Sequence, residues 1–467
     1  LIFPSAFVSR IKQQLGEDTR FFFDALADER PISIRLNPAK LRTLSPSHFS
    51  AFSSPIPWCS TGHYLDQRPS FTLDPLLHAG CYYVQEAASM FLEEIFNQLK
   101  LSEKKLLVLD ACAAPGGKST HLASLISNSS LLVSNEAISS RVSVLKENII
   151  KWGMGNVVIT NNDPSAFESL SNDLNGGLFD VIVVDAPCSG EGLFRKDKAA
   201  IKEWSEESCN HCVSRQQRIL SALLPALKPN GILIYCTCTF NPEENENNIN
   251  WMIEEYGMES ISLTVPENSN IREITSDHAT GYYFYPHLTK SEGFFISVLK
   301  KKNINVDSAD SIFEANRSKK YSNRFEHVND ERLSRMIIPS SNYQIIKSSN
   351  LFLFPSEWIR ALEFFSEILN IRYAGTTVAE IKNNDVIPQH LLALSVHLNK
   401  ENFPAIQLTK EEALKYLRKE TIVKTAIEKG WMLAEYDYNG GVPLGWVKSV
   451  AGRMNNYYPV EWRIRKS

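Results

Sequence analysis

The chain has 467 residues, 43% of them hydrophobic and 22% charged, and a formal net charge of −4. That length implies about three domains at ~150 residues each, and the composition excludes a disordered or fibrous protein. No apolar run of about 18 residues is present, so neither a membrane span nor a membrane partner is expected. The acidic balance means that any nucleic-acid partner must be met by local basic patches.

The opening stretch, LIFPSAFVSRIKQQLGEDTR, lacks the basic and long apolar regions of a signal peptide. It does not begin with Met, so the natural start is expected upstream. Phe7, Ile11 and Leu15 are four apart, and Phe22 and Leu26 repeat the spacing, which predicts helices up to about residue 27. Pro31 ends that pattern, and ISIRLNP (32–38) alternates like a strand. A Pro- and Ser-rich stretch runs from Ser45 to Pro57. VQEAASMFLEEIFNQL (84–99) reads as one amphipathic helix.

Beyond residue 105 the texture changes. Apolar runs recur with helical segments between them: LLVL (106–109), LLVS (131–134), VVIT (157–160), DVIVV (180–184) and ILIY (232–235). Runs so short and apolar fit strands buried on both faces of a parallel sheet, so this part is predicted to be a doubly wound α/β domain. YYFYP (282–286) and GFFISVL (293–299) read as a hairpin closing the sheet edge. Residues 301–350 are polar and read as linker and irregular structure. LFLFPSEWIRALEFFSEIL (351–369) reads as strand and helix, and EEALKYLRKE (411–420) as helix. The last segment alternates around an Asn-Gly-Gly turn at 439–441, which predicts a small β-rich terminal domain.

The residues directly after each apolar run carry the functional information. The five runs lead into Asp110-Ala-Cys112, Asn135-Glu136, Asn161-Asn162-Asp163, Asp185-Ala-Pro187-Cys188 and Cys236-Thr-Cys238-Thr239. In a parallel sheet these carboxyl ends share one edge, where α/β folds bind ligands. DACAAPGGKST (110–120) places paired glycines between strand and helix, which permits close backbone approach to a ligand. Cys112 to Ser119 nearly spells a phosphate-binding loop, and a P-loop NTPase is one alternative; Cys112 stands at its first glycine. A carboxylate at Glu136 instead suits ribose hydroxyls and repels polyphosphate, and Asp163 is placed to accept from an adenine amino group.

DAPCSGEG (185–192) sets an acid three residues before a thiol, and YCTCTFNPEENE (235–246) brings a second thiol beside the next strand. Carbon 5 of cytosine is poorly nucleophilic. A thiolate added to carbon 6 makes an enamine able to attack a methyl sulfonium, with an acid assisting at ring nitrogen 3 and a second thiol assisting elimination.

With DACAAPGGK (110–118), Glu136, Asp163, DAPCSGEG and TCTFNPEENE (237–246), the chain resembles the NOL/NOP/Sun family of S-adenosylmethionine-dependent RNA cytosine-carbon-5 methyltransferases, most closely its bacterial 16S rRNA, RsmF-like branch. RLN (35–37) and QEAASM (85–90) also resemble family segments. The resemblance implies a Rossmann-like methyltransferase core over 101–300. It implies an N-terminal α/β auxiliary domain of ferredoxin or RRM type over 1–100, a linker and intermediate domain over 301–395, and a PUA-like β-rich RNA-binding domain over 396–467. It implies Cys238 as attacking thiol, Cys188 as the thiol assisting release, and Asp185 as a third catalytic residue. Cys112, Ala113, Ala114, Pro115, Gly116, Gly117, Lys118, Glu136, Asp163 and Asp185 are implied in cofactor binding. Cys236 stands where relatives often have Ser. The implied cofactor is S-adenosylmethionine and the implied partner 16S rRNA or the small ribosomal subunit. A cytoplasmic monomer is expected, and a catalytically idle rRNA-binding assembly factor is the alternative from another class.

Cys209 and Cys212 flank His211 without a second ligand pair, so no metal site is expected. Arg195, Lys196 and Asp197 read either as an RNA-phosphate contact or as a solvated loop. Lys448, Arg453, Arg463, Arg465 and Lys466, interleaved with Trp446, Tyr457, Tyr458 and Trp462, read as a basic and aromatic RNA surface or as a β-domain core with a charged rim.

Overall fold

The computed structural model describes residues 1–41, 52–172, 176–302, 324–422, 429–450 and 453–465. Two helices open the chain, α1 (Ser5–Leu15) and α2 (Thr19–Ala27). Their buried residues are Phe7, Ile11 and Leu15, then Phe22 and Leu26, as the spacing dictates. Both helices pack on the central domain: Phe7 meets Phe194 and Trp204 edge-on at 5.1 and 5.8 Å, and Phe22 meets Phe240 at 5.0 Å.

An antiparallel sheet follows, in the order β2 (Phe52–Ile56), β3 (Cys59–Leu65), β1 (Ile32–Leu36) and β4 (Tyr82–Val84). The segment 84–99 is not one helix. Val84 pairs with Ile34 in the ladder, and α3 runs only over Leu92–Gln98. Ser33 extends that pairing by donating its hydroxyl to the Gln85 carbonyl at 2.5 Å, so tertiary pairing overrides the helical periodicity at its start.

The central sheet holds β5 (Leu107–Asp110), β6 (Leu131–Asn135), β7 (Val157–Thr160), β8 (Phe179–Asp185) and β9 (Leu227–Thr237), all parallel to their neighbours in this set. Every residue of β5, β6 and β7 is buried, as strands covered on both faces require. Helices α4 (Gly117–Leu125), α5 (Ser139–Trp152), α6 (Ser165–Asn172) and α7 (Glu206–Leu223) make the crossovers, and α8 (Glu246–Tyr256) follows β9. Then come β10 (Met258–Ser260), β11 (Arg272–Ser276), β12 (Ala279–Phe284) and β13 (Phe294–Lys301). The expected hairpin forms, but β13 lies between β9 and β12, and β11 continues the sheet beyond them.

The third part is more ordered than its polar composition suggests. Residues 303–323 lie outside the described residues. Beyond them, β14 (Glu326–His327), β15 (Tyr343–Lys347), β16 (Leu351–Pro355), β18 (Thr376–Lys382) and β19 (Asp385–Pro388) form a sheet. Between β16 and β18 come α9 (Ile359–Ile368) and β17 (Ile371–Ala374), and β17 leaves that sheet to pair antiparallel with β7. The C-terminal sheet has the order β20 (Ala405–Leu408), β21 (Gly430–Tyr436), β22 (Val442–Val450), β23 (Arg453–Asn456), with α10 (Lys410–Leu417) against it. Its core is shared: Leu408, Tyr416 and Val447 cluster with Ile34, Leu36 and Tyr82 of the N-terminal sheet. Among the described residues no helix is long and apolar enough to cross a membrane.

Ala361, Leu362, Phe364 and Phe365 of α9 are buried in the core cluster of the central domain, and Phe365 stacks on Phe179 at 6.4 Å. A chain ended near residue 305 loses this cover and leaves β7 as an open edge. Such a fragment is expected to aggregate in size-exclusion chromatography; recovery of a monodisperse folded monomer would contradict the packing argument.

Candidate active site

The first loop is built around a buried acid. β5 delivers Asp110, whose Oδ2 accepts from the Ser119 hydroxyl at 2.6 Å while Oδ1 has no partner among the described residues. Burial pushes this carboxyl up to about 7, against the Ser119 hydrogen bond. Gly116 takes φ +113, a conformation open to glycine, and α4 starts at the next residue. The N-terminal domain fixes that first turn: Arg35 donates to Gln85 Oε1 at 2.9 Å and to Thr120 Oγ1 at 2.7 Å, with its guanidinium 4.4 Å over the Trp152 ring. The two short segments RLN and QEAASM thus meet on the glycine loop. Lys118 reaches across to Asp185, 2.9 Å away. Burial disfavours the lysine charge, but Asp185, Cys236 and Asp110 outweigh it and hold the ammonium above the usual lysine range.

Glu136 is buried beside this loop. It accepts from the backbone N–H of Ala114 at 3.3 Å and of Ile138 at 2.8 Å, and Arg141 stands 3.4 Å away. Cys112 is half-buried, and burial pushes its thiol well above the ordinary range. Asp163 differs from the rest of the predicted set. It lies at the same strand end but is exposed, and its carboxylate is taken by Ser165 and by Arg218, 3.1 Å from each oxygen.

The two predicted thiols come together. Cys188 Sγ and Cys238 Sγ are 3.1 Å apart, and the Cys238 N–H points at Cys188 Sγ from 3.3 Å. The contact with Cys238, then burial, then the nearby Glu244 push the Cys188 thiol well above its ordinary value, so Cys188 keeps its proton. Cys236 is fully buried, with Val184 O and Asp185 Oδ1 at 3.6 and 3.7 Å, whereas Cys238 is half-buried at the crevice. Position alone separates the two.

Sequence reasoning missed the residues that seat the Cys188 loop. Glu244 is buried and accepts from the Ser189 N–H, the Ser189 hydroxyl and Gln216, whose amide also donates to Pro187 O. Glu191 is buried and accepts from the Phe240 N–H at 3.1 Å, the Trp204 indole at 2.9 Å and Arg10 of α1. The acid runs SGEG and NPEENE were the available signals.

The weaker candidates resolve otherwise. Arg195 is tied to the Asp28 and Ser291 carbonyls, and Asp197 caps a short helix at Lys198–Glu203. Cys209 is buried on α7 while His211 is exposed. Trp446 and Tyr458 are core residues, 1% exposed each, and Trp462 is half-buried against His390. Trp431, Tyr457 and Lys448 remain near the surface, with Lys448 5.0 Å over the Trp431 ring. Lys466 lies outside the described residues.

The sheet order, its antiparallel strand β13 and the acid-lined loop after β5 define a Rossmann-like S-adenosylmethionine-dependent methyltransferase. The family model of the 16S rRNA methyltransferase RsmB/F matches residues 97–300, that of the N-terminal domain of 16S rRNA methyltransferase RsmF matches 3–87, and that of the methyltransferase RsmF PUA domain matches 403–464. Three consecutive stretches of the chain thus match models of RsmB/F and RsmF 16S rRNA methyltransferases. Ribosomal RNA small subunit methyltransferase F of Escherichia coli (strain CFT073) is 29% identical to it over 98% of this chain and 96% of that protein. A methyltransferase homologue from Pyrococcus horikoshii superposes with a TM-score of 0.52 at 28% identity, covering 64% of this chain and 95% of that one. NSun6 from Pyrococcus horikoshii, solved with SFG, gives a TM-score of 0.52 at 20% identity over 64% of this chain and 99% of that one, a likeness of fold.

Asp110 gives stability a pH dependence of fixed sign. Its carboxyl is raised from about 3.8 in the unfolded chain to about 7 in the fold, so the folded state binds the proton more tightly. The contribution is intact below the unfolded value and is lost as pH rises through about 7. Asp110→Asn is expected to flatten the fall in Tm between about pH 4 and pH 8. Thermal melts across that range check this, and an unchanged slope in the variant rejects it.

Proposed function

We propose that this methyltransferase modifies carbon 5 of a cytosine in 16S rRNA through a covalent bond between Cys238 and the base. The observation that carries the reading is the pair of thiols 3.1 Å apart at the ends of β8 and β9, beside Asp185 and Lys118. A second thiol in contact with the first has no use in a methyl transfer to an already nucleophilic atom.

The residues of the first loop fit the cofactor. The carboxylates of Glu136 and Asp185 suit a cationic ligand with ribose hydroxyls, and the Cys112–Lys118 turn gives it backbone access. When bound, S-adenosylmethionine supplies an electrophilic methyl group. Asp163 belongs to this set once Arg218 releases it. The base must be unstacked or flipped to reach the half-buried sulfur. Cys238, as thiolate, bonds to carbon 6, and the Asp185 carboxyl in its protonated form donates to ring nitrogen 3, so that the electron pair reaches carbon 5 through the enamine. After carbon 5 is methylated, its proton passes to water, nitrogen 3 returns its proton to Asp185, the ring double bond re-forms and the Cys238–carbon bond breaks. Cys188 sits against the departing sulfur and returns a proton to it. The free cysteines support a cytoplasmic setting.

Two variants side by side test the assignment. Cys238→Ala is expected to lose turnover and covalent RNA capture while keeping cofactor affinity. Cys188→Ala is expected to accumulate a protein–RNA adduct on denaturing gels. The reverse pattern exchanges the roles of the two thiols, and turnover retained in both rejects the covalent route. Independently, Glu136→Ala is expected to weaken cofactor binding by about 1–3 kcal/mol in calorimetry, the scale of a charge-assisted hydrogen bond. Unchanged affinity there moves the cofactor off the end of β6.

A further inference from the structure

A cluster of metal-ligand side chains lies outside the crevice, where no sequence motif points. Cys59 on β3, Glu93 on α3 and His121 on α4 are all buried, and one ligand atom of each lies within 4.8 Å of the others. The Cys59 Sγ to Glu93 Oε2 distance is 3.1 Å, His121 Nε2 to Glu93 Oε2 is 3.5 Å, and Cys59 Sγ to His121 Nε2 is 3.9 Å.

Hydrogen bonding accounts for only part of this triangle. An N–H···O separation of 3.5 Å is too long for a good hydrogen bond, and the sulfur–imidazole edge is longer still. His121 Nδ1 is also buried without a partner, so the ring is held on neither side by strong hydrogen bonds. Metal ligation accounts for the spacing better. Bonds of ~2.3 Å to sulfur and ~2.0–2.2 Å to nitrogen and oxygen, at tetrahedral angles, put the ligand atoms ~3.4–3.6 Å apart. The three edges scatter around that value. Glu93 is already oriented as a ligand would be. Its Oε1 accepts from the Ser60 N–H at 2.9 Å, which leaves Oε2 facing the sulfur and the imidazole. The Thr61 hydroxyl lies 3.7 Å from the sulfur and borders the cluster.

We propose that Cys59, Glu93 and His121 bind a zinc(II) ion that ties β3 and α3 of the N-terminal part to α4. A thiolate, an imidazole and a carboxylate are the donor set that zinc takes, and thiolate with carboxylate balance its two charges. On binding, the Cys59 S–H bond breaks, its proton passes to solvent and the sulfur–zinc bond forms; no electron changes hands. Water completes the tetrahedron that the three protein ligands leave open. The bound ion braces the helix whose first turn carries Gly117 and Lys118.

Cobalt(II) is the probe, because a thiolate on tetrahedral cobalt gives a near-ultraviolet charge-transfer band. The full chain with Cys188→Ser and Cys238→Ser, which silences the other close thiol pair, is treated with chelator and titrated. One equivalent of cobalt is expected to raise the band, and zinc to abolish it. Cys59→Ser is expected to remove the band, and His121→Ala to raise the cobalt dissociation constant at least tenfold. Absence of the band at saturating cobalt in the parent overturns the proposal, as does a band undiminished by Cys59→Ser. Should Cys59→Ser fail to fold, Glu93→Gln takes its place, and an unchanged cobalt spectrum and affinity in it count against the site equally.

Discussion

The chemistry at the crevice depends on the seating of one loop, Pro187–Gly192, against the end of β9. Two buried carboxylates hold it. An unpaired charge in the interior costs several kcal/mol, so a buried glutamate is tolerable only where donors surround it. Glu244 is satisfied by Ser189 and Gln216, and Glu191 by Phe240, Trp204 and Arg10. Each acid therefore joins the loop to another segment. Gly192 completes the fit. Its N–H donates to the Cys238 carbonyl at 2.9 Å, and a Cβ there would stand 2.6 Å from Gly293 O. The sulfur–sulfur contact follows from this seating.

The same logic explains why the N-terminal part is not an appendage. Arg10 comes from α1, and Arg35 from the N-terminal sheet, yet one neutralises the thiol loop and the other fixes the glycine loop. Arg35 is fully buried, and burial lowers it to about 10. Removing either leaves a buried acid or a frayed helix start in the central domain. The N-terminal helices, whose aromatic faces have no other cover, are thereby committed to the core that they help to organise.

The five central strands were legible because strands buried on both faces must be apolar throughout, and the residues after them must be polar to serve a ligand. Asp110, Asp185, Cys188 and Cys238 were legible for that reason. Glu244 was not: Glu243, Glu244 and Glu246 share one short motif, and only the tertiary fold decides that Glu243 is exposed and the other two buried. Trp446 and Tyr458 looked like stacking residues because aromatic composition does not say which face of a strand is covered. β17 was hidden for another reason. Four residues of mixed polarity carry no mark of which sheet they join, and the partner is an edge more than two hundred residues earlier.

The packing of the last third bears on how an RNA is presented. Because β17 extends the central sheet and the C-terminal sheet shares a core with β1 and β4, the terminal domain is fixed and not tethered. A flexible linker would offer a bound RNA segment many positions relative to the thiols. A packed domain offers one, so under the proposed function the ordering of a bound RNA is largely settled before its base reaches the thiols. The near-surface group of Trp431, Tyr457 and Lys448 is then held at a set distance from Cys238. Under the proposed function, that distance helps to select the site in the RNA.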